Sequence, residues 1–306
     1  MLAPLLTLAA VSTLLGQSCA LPPPSPHSPP GPPGPPEYFI DTTWWDANSG
    51  GASDEWGLCA NLGSRCGPVL ENRYAIWITY ADIDKSATAN INVLRIPTTY
   101  AAWIKLPGTQ LYSGNQQKYL KDIALYAIKE YNMHIIVDIH SLPGGVNVDN
   151  TAFSAFGSPY ALSDLTNFTK GVLKRVGKVN AKIPVMLQDG FKGESYFPPS
   201  FDETTNLVFD IHSYYFAGRN ACAANVSSYI CTDAKAAVGD GKFPVFVGEW
   251  AIEAQYNNTF ALRQGNLAAG LYAFGKKTSG SAYWTAKRSP FVAWVNHNNS
   301  SAHTHP

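Results

Sequence analysis

The sequence predicts an α/β fold whose parallel strands close into a (β/α)8 barrel, and three observations carry that expectation. Six short apolar runs have strand character and are almost continuously hydrophobic, as strands buried on both faces must be. Stretches with apolar residues at helical spacing lie between them. Each run ends in a charged, polar or aromatic residue, and a barrel site is assembled from such residues at the carboxyl ends of successive strands.

The runs, in order, are Asn92–Arg95, Ile135–His140, Pro184–Asp189, Leu207–His212, Phe243–Glu249 and Ser281–Trp284. Between them, Gln116 to Tyr131 places Leu120, Ile123, Ala124 and Ile128 on one helical face. Ser163 to Val179 does the same with Leu165, Phe168, Val172 and Val176, with Ser163 as the expected cap. Strand alternating with helix defines the α/β class. A doubly wound sheet is the rival architecture, but it would show a Gly-rich phosphate turn after its first strand, and the sequence has none. Two barrel strands are not found. Between His140 and Pro184 only one helix is legible, and before Glu37 there is only a proline-rich stretch, so the barrel is expected to lack its first and fourth strand regions.

The chain divides into three parts. Residues 1–20 read as a secretory signal, with an apolar run from Leu2 to Leu15 too short to span a bilayer and small residues at Ser18-Cys19-Ala20. Residues 21–36 form a spacer: Pro22 to Pro36 holds ten prolines in fifteen residues, which favours an extended polyproline II chain. Residues 37–306 form one domain, close to the roughly 250 residues of a typical barrel. A secreted, extracellular or cell-wall protein is expected, with no membrane association after signal removal. Sequons at Asn167, Asn225, Asn257, Asn298 and Asn299 agree with that location. Cys59, Cys66, Cys222 and Cys231 then remain, an even number in an oxidising compartment, and two disulfides of open connectivity are expected.

Charged residues make up 14% of the chain and sum to zero, which excludes the basic stripe of a nucleic-acid partner. Aromatic residues make up 12%, fitting either a large core or a cleft whose rings stack on sugars. Glu249 ends a strongly apolar strand in Val247-Gly248-Glu249-Trp250, and a carboxylate there is costly to bury unless paired or used. Arg95, His212 and Tyr214 end or follow other strands. An arginine and a tyrosine hydroxyl around Glu249 would hold it ionised, as a glycosidase nucleophile requires. Asp138-x-His140 and His212-x-Tyr214 each share one strand face, because side chains alternate with period two. Metal hydrolysis on a barrel would want a His-x-His on the first strand; no strand carries one, and neither metal nor other cofactor is implied.

Six collinear segments, between about Glu37 and Lys287, resemble the fungal exo-β-1,3-glucanases of glycoside hydrolase family 5. They are Asp54-Glu55-Trp56, Asn92-Val93-Leu94-Arg95-Ile96-Pro97, Asp138-Ile139-His140-Ser141-Leu142-Pro143-Gly144, Asp210-Ile211-His212-Ser213-Tyr214, Gly248-Glu249-Trp250 and Tyr283-Trp284-Thr285. The resemblance implies a monomeric retaining hydrolase that releases glucose from β-glucan ends. Glu249 would be the nucleophile, oriented by Arg95, His212 and Tyr214. His140 would touch the sugar, Trp284 would floor the terminal-glucose subsite, and Asp138 and Trp250 would complete the substrate-binding set. The family's acid/base is the Glu of an Asn-Glu-Pro on the fourth strand, and this chain contains no Asn-Glu dipeptide. A segment is therefore expected to be missing at about Asn147/Val148. The alternatives to an active hydrolase are a non-catalytic β-glucan-binding relative and an incomplete gene product. A retaining reaction needs two carboxyl groups about 5 Å apart; Glu194, and after it Glu253, are the weak substitutes on offer.

Overall fold

A computed structural model describes residues 42–52, 54–141, 162–191, 193, 195–216 and 218–286. The signal, the spacer, the Asn147/Val148 junction, Glu194 and the sequons at Asn298 and Asn299 lie outside the described residues.

All six expected runs are strands: β1 Val93–Thr99, β2 His134–Ser141, β3 Val185–Gln188, β4 Leu207–Tyr215, β5 Val245–Ala254 and β6 Ser281–Tyr283. Every pairing is parallel. β1 pairs with β2, and a four-stranded sheet runs β3-β4-β5-β6. β6 comes back beside β1 without a ladder between them. Among the described residues the sheet is thus interrupted at two places, between β6 and β1 and between β2 and β3. If β1 is counted as the second strand of a barrel, these are the places of the first and the fourth, the two regions not legible in the sequence.

Helices flank the strands, and those that follow β1 pack on them. Four of them precede β1 and carry no clear periodicity in the sequence: α1 Thr42–Asn48, α2 Glu55–Leu62, α3 Cys66–Trp77 and α4 Tyr80–Thr88. Their local signals are caps. The Asp54 carboxylate accepts the Gly57 N–H at 2.7 Å, and Thr79 with Asp82 closes a capping box on α4. α5 spans Gln116–Tyr131, as expected, and stops at Asn132, whose left-handed backbone (φ 51°) is a common helix terminator. α6 spans Leu162–Asn180, which places Ser163 within the helix. α7 Val226–Ala236 and α8 Phe260–Lys277 follow β4 and β5.

The main core lies between β4–β5 and α7–α8, where Tyr215, Val226, Ile230, Val247, Trp250 and Phe274 are fully buried. Gly270 of α8 lies so close to the Trp250 indole that any Cβ there would overlap the ring, so only glycine lets the helix reach the sheet. A second cluster, with Phe197, Phe201, Leu207, Phe209 and Phe243, fills the β3–β4 side.

The cysteines correct one expectation. Cys59 pairs with Cys66, tying α2 to α3. Cys222 is disulfide-bonded, but not to Cys231, which is a free, exposed thiol on α7. Cys222 is buried ahead of that helix while Cys231 faces solvent, so the two point into different surroundings.

Candidate active site

The carboxyl ends of β1, β2, β4 and β5 converge on one buried carboxylate, Glu249. Its position depends on a β-bulge. Ile211 of β4 is paired with Val247 and the next residue, His212, with Glu249, which leaves Gly248 as the extra residue. Strict period-two alternation would put Glu249 on the face of Val247, against the helices. The bulge turns it to the face of His212. Val247 and Trp250, three residues apart, both stay on the outer face in the helix-packed core.

Glu249 is held from two other strands. Arg95 of β1 donates through Nη1 to Glu249 Oε1. Tyr214 of β4 donates its hydroxyl to Oε2 at 2.5 Å, and His212 Nδ1 is 3.4 Å from the same oxygen. Burial raises the Glu249 pKa, but the charges of His212 and Arg95 and the Tyr214 hydrogen bond outweigh it and hold the carboxyl below its ordinary range. Glu249 is therefore an anion at neutral pH. Burial likewise works against the charge on Arg95, yet Asp138, Asp210 and Glu249 around it raise its pKa.

Asp138 and His140 of β2 share the inner face, with His140 Nδ1 2.8 Å from Asp138 Oδ2 and 3.8 Å from Glu249 Oε1. Asp138 also pairs with Arg95 Nη2 at 2.9 Å. The Trp284 ring lies nearly parallel to the His140 ring, 6.4 Å between centroids. The structure thus gathers Arg95, Asp138, His140, His212, Tyr214, Glu249 and Trp284 at one site.

Trp250 does not belong there. It is fully buried against Phe274 and Tyr283, on the opposite strand face from Glu249, and cannot touch a ligand in the pocket. Its expected substrate-binding role is corrected: adjacent residues on a strand point opposite ways. Glu194 lies outside the described residues, and Glu253 is exposed near the end of β5.

Sequence reasoning missed Asp210 as a site residue. Its Oδ2 lies 3.5 Å from His212 Nε2 and 3.6 Å from Arg95 Nη2, with the side chain almost fully buried. The signal was available, because Asp210-x-His212 repeats the i, i+2 spacing of Asp138-x-His140. Asp189, after β3, was also passed over. It accepts the backbone N–H groups of Phe191 and Gly193 at 3.0 Å each, and burial raises its pKa despite those bonds. The Phe191 ring stands edge-on to His212 at 6.1 Å. Among the described residues no cluster of side chains has the make-up of a metal site.

Comparisons with known proteins place this site in a familiar setting. No family model matches the sequence. The crystal structure of rutinosidase from Aspergillus niger is 47% identical, with a TM-score of 0.76, covering 82% of this chain and 86% of that one. The protein AoRut is 44% identical with a TM-score of 0.77, covering 85% and 91%. Among curated proteins, the probable glucan 1,3-beta-glucosidase A of Aspergillus niger is 28% identical over 70% of this chain, which spans only 62% of that relative's length. A glycoside hydrolase family 5 endo-beta-1,4-glucanase from Bacillus licheniformis, 14% identical with a TM-score of 0.50, shares the fold.

Proposed function

The chain belongs to glycoside hydrolase family 5, and on that premise we propose that it is a secreted, retaining, exo-acting β-glycosidase with Glu249 as nucleophile. The observation that carries this reading is the ionised Glu249 held by Arg95, Tyr214 and His212 at the mouth of the strands. Two carboxylate oxygens fixed by hydrogen bonds are aimed before substrate arrives, and no reorganisation is needed as the anomeric carbon is attacked. His140 and Trp284 supply the sugar-facing wall, a donor beside a ring that stacks on an apolar sugar face.

The substrate follows from the relatives' names. A rutinoside is the substrate class we favour, because the rutinosidase is 47% identical and 86% covered. β-1,3-Glucan is the second reading, carried by the glucan 1,3-beta-glucosidase at 28% identity and 62% coverage. Either way the leaving oxygen must be protonated. Of the other carboxylates around the site among the described residues, Asp138 and Asp210 are both engaged by Arg95 and Asp189 accepts the backbone N–H groups of Phe191 and Gly193, and no Asn-Glu dipeptide occurs. We therefore propose that the chain by itself attacks activated glycosides and accumulates the covalent ester.

The test is mass spectrometry of the full chain after mixing with dinitrophenyl β-rutinoside or dinitrophenyl β-glucoside. A glycosyl adduct on the peptide containing Glu249 is expected, and its mass reads the sugar: disaccharide for the rutinoside reading, hexose for the glucan reading. An adduct on another residue, or none with either compound, overturns the nucleophile assignment.

A further inference from the structure

Building on the reading of Glu249 as nucleophile, we propose that Asp210 is a positioning residue that acts through His212, and that the bulge glycine Gly248 exists to admit its carboxylate. Three observations lead there. First, His212 is faced by acceptors on both ring nitrogens: Asp210 Oδ2 lies 3.5 Å from Nε2, and Glu249 Oε2 lies 3.4 Å from Nδ1. Second, Arg95 Nη2 also approaches Nε2, at 3.4 Å, so the ring has two self-consistent states. In the neutral state Nδ1–H donates to Glu249 while Nε2 accepts from Arg95. In the cationic state both N–H groups point at carboxylates. Asp210 is the group that tips the choice to the cation, because only that state gives its oxygen a donor from the ring.

Third, Asp210 is placed at the expense of a side chain elsewhere. Any Cβ on Gly248 would overlap its carboxyl atoms, Oδ1 foremost, and Oδ1 has no hydrogen-bond partner among the described residues. A buried, half-satisfied carboxylate is costly to keep unless it has a use. Neutralising Arg95 is an incomplete account, since Arg95 already meets Asp138 and Glu249 at shorter distances. The charges facing His212 from all sides are Asp210 on its own strand, Glu249 on β5, Arg95 on β1 and Asp189 after β3. Burial disfavours the charged ring, yet the carboxylates win and its pKa lies above the ordinary histidine value.

In either state Nδ1–H holds Oε2, leaving Oε1, bonded to Arg95, as the attacking oxygen, and a positive charge on the ring strengthens that hold. The assignment concerns which oxygen reacts and how it is aimed; Asp210 itself does not meet the sugar.

NMR titration of the imidazole carbons in the full chain tests this without requiring turnover. The His212 signal, identified among the seven histidines by its loss in His212→Gln, should titrate above an ordinary histidine in the native chain. In Asp210→Asn, which keeps shape and removes charge, the midpoint should fall. The rate of ester formation should drop by roughly 10–100-fold, taking as a guide the range for losing a carboxylate that orients a metal-bound histidine. Gly248→Ala should reproduce both changes. A folded Asp210→Asn with an unshifted His212 midpoint overturns the proposal, and so does a native His212 that titrates at or below the ordinary value, which needs no variant to fold. Absence of ester in the native chain would instead count against Glu249 as nucleophile, while the titration would still decide whether Asp210 sets the charge of His212.

Discussion

The four-stranded sheet β3–β6 and the two-stranded sheet β1–β2 both deliver residues to Glu249, but they are packed very differently. On β5 nine of ten residues are buried, and behind them lies a core of Trp250, Phe274, Tyr215 and Val247. On β1 every residue is only half-buried, and on β2 Val137 and Ile139 are 47% and 45% exposed. Yet Arg95 and Asp138, which the weaker sheet contributes, have nearly buried side chains. The two faces of a strand thus answer to different demands. The inner face is held by a network of charges that crosses from one sheet to the other. The outer face is held by helices, and only the larger sheet has a deep core against them. The site is complete on the nucleophile's side, where both sheets meet through Arg95 and Glu249.

The largest effect that would sharpen this comparison comes from Glu249 itself. Glu249→Gln should abolish the initial burst of dinitrophenolate in stopped-flow, while the far-UV spectrum stays native. A burst that survives would place the nucleophile elsewhere. Next comes the proton donor that we propose the chain lacks. General acid catalysis is worth about 10²–10⁴ in rate, so laminarin and alkyl glycosides should turn over that much more slowly than dinitrophenyl glycosides. Azide should restore turnover of the activated ones by attacking the ester in place of water. Laminarin hydrolysis as fast as that of the activated compounds would reveal an acid outside the described residues, and Glu194→Gln would then be the variant to make.

Stability should divide along the same line. Trp250→Ala removes the largest side chain of the main core and should cost about 3–5 kcal/mol, read as a shift in urea midpoint at constant slope. Ile139→Ala, on the thinly covered strand, should cost about 1 kcal/mol or less. Equal losses would mean that the two sheets are packed alike. The smallest expected effect is in pH. Because the folded Glu249 pKa lies below its unfolded value, its contribution to stability is present above the ordinary carboxylate range and is lost as pH falls through the depressed value. Tyr214→Phe removes one of the bonds that depress it, so the acid limb of burst rate against pH should move upward. An unmoved limb would show that Arg95 and His212 suffice.

Much of this was legible in the chain. The strands are legible because runs buried on both faces must be apolar throughout, and Arg95, His140, His212 and Glu249 stand out as the charged or polar residues that end them. Asp210 was hidden only by being read as part of its strand. The helices α1 to α4 were not legible, since their signals are short caps and their core is the small cluster of Leu58, Cys59, Cys66 and Leu70.

The sequence by itself determined the strand set, the parallel α/β class, the identity of the ionisable residues at the strand ends and the lack of an Asn-Glu acid/base, because each depends on residue type and order along the chain. Tertiary structure alone decided which way those residues face. A one-residue bulge at Gly248 turns Glu249 inward and leaves Trp250 outward, reversing what alternation from Val247 would give, and no local propensity records it. It also decided the cysteines, for pairing depends on which thiols share a neighbourhood: Cys59 meets Cys66, while Cys231 ends in solvent. Residue type sets what a side chain can do; register and packing set what it can reach.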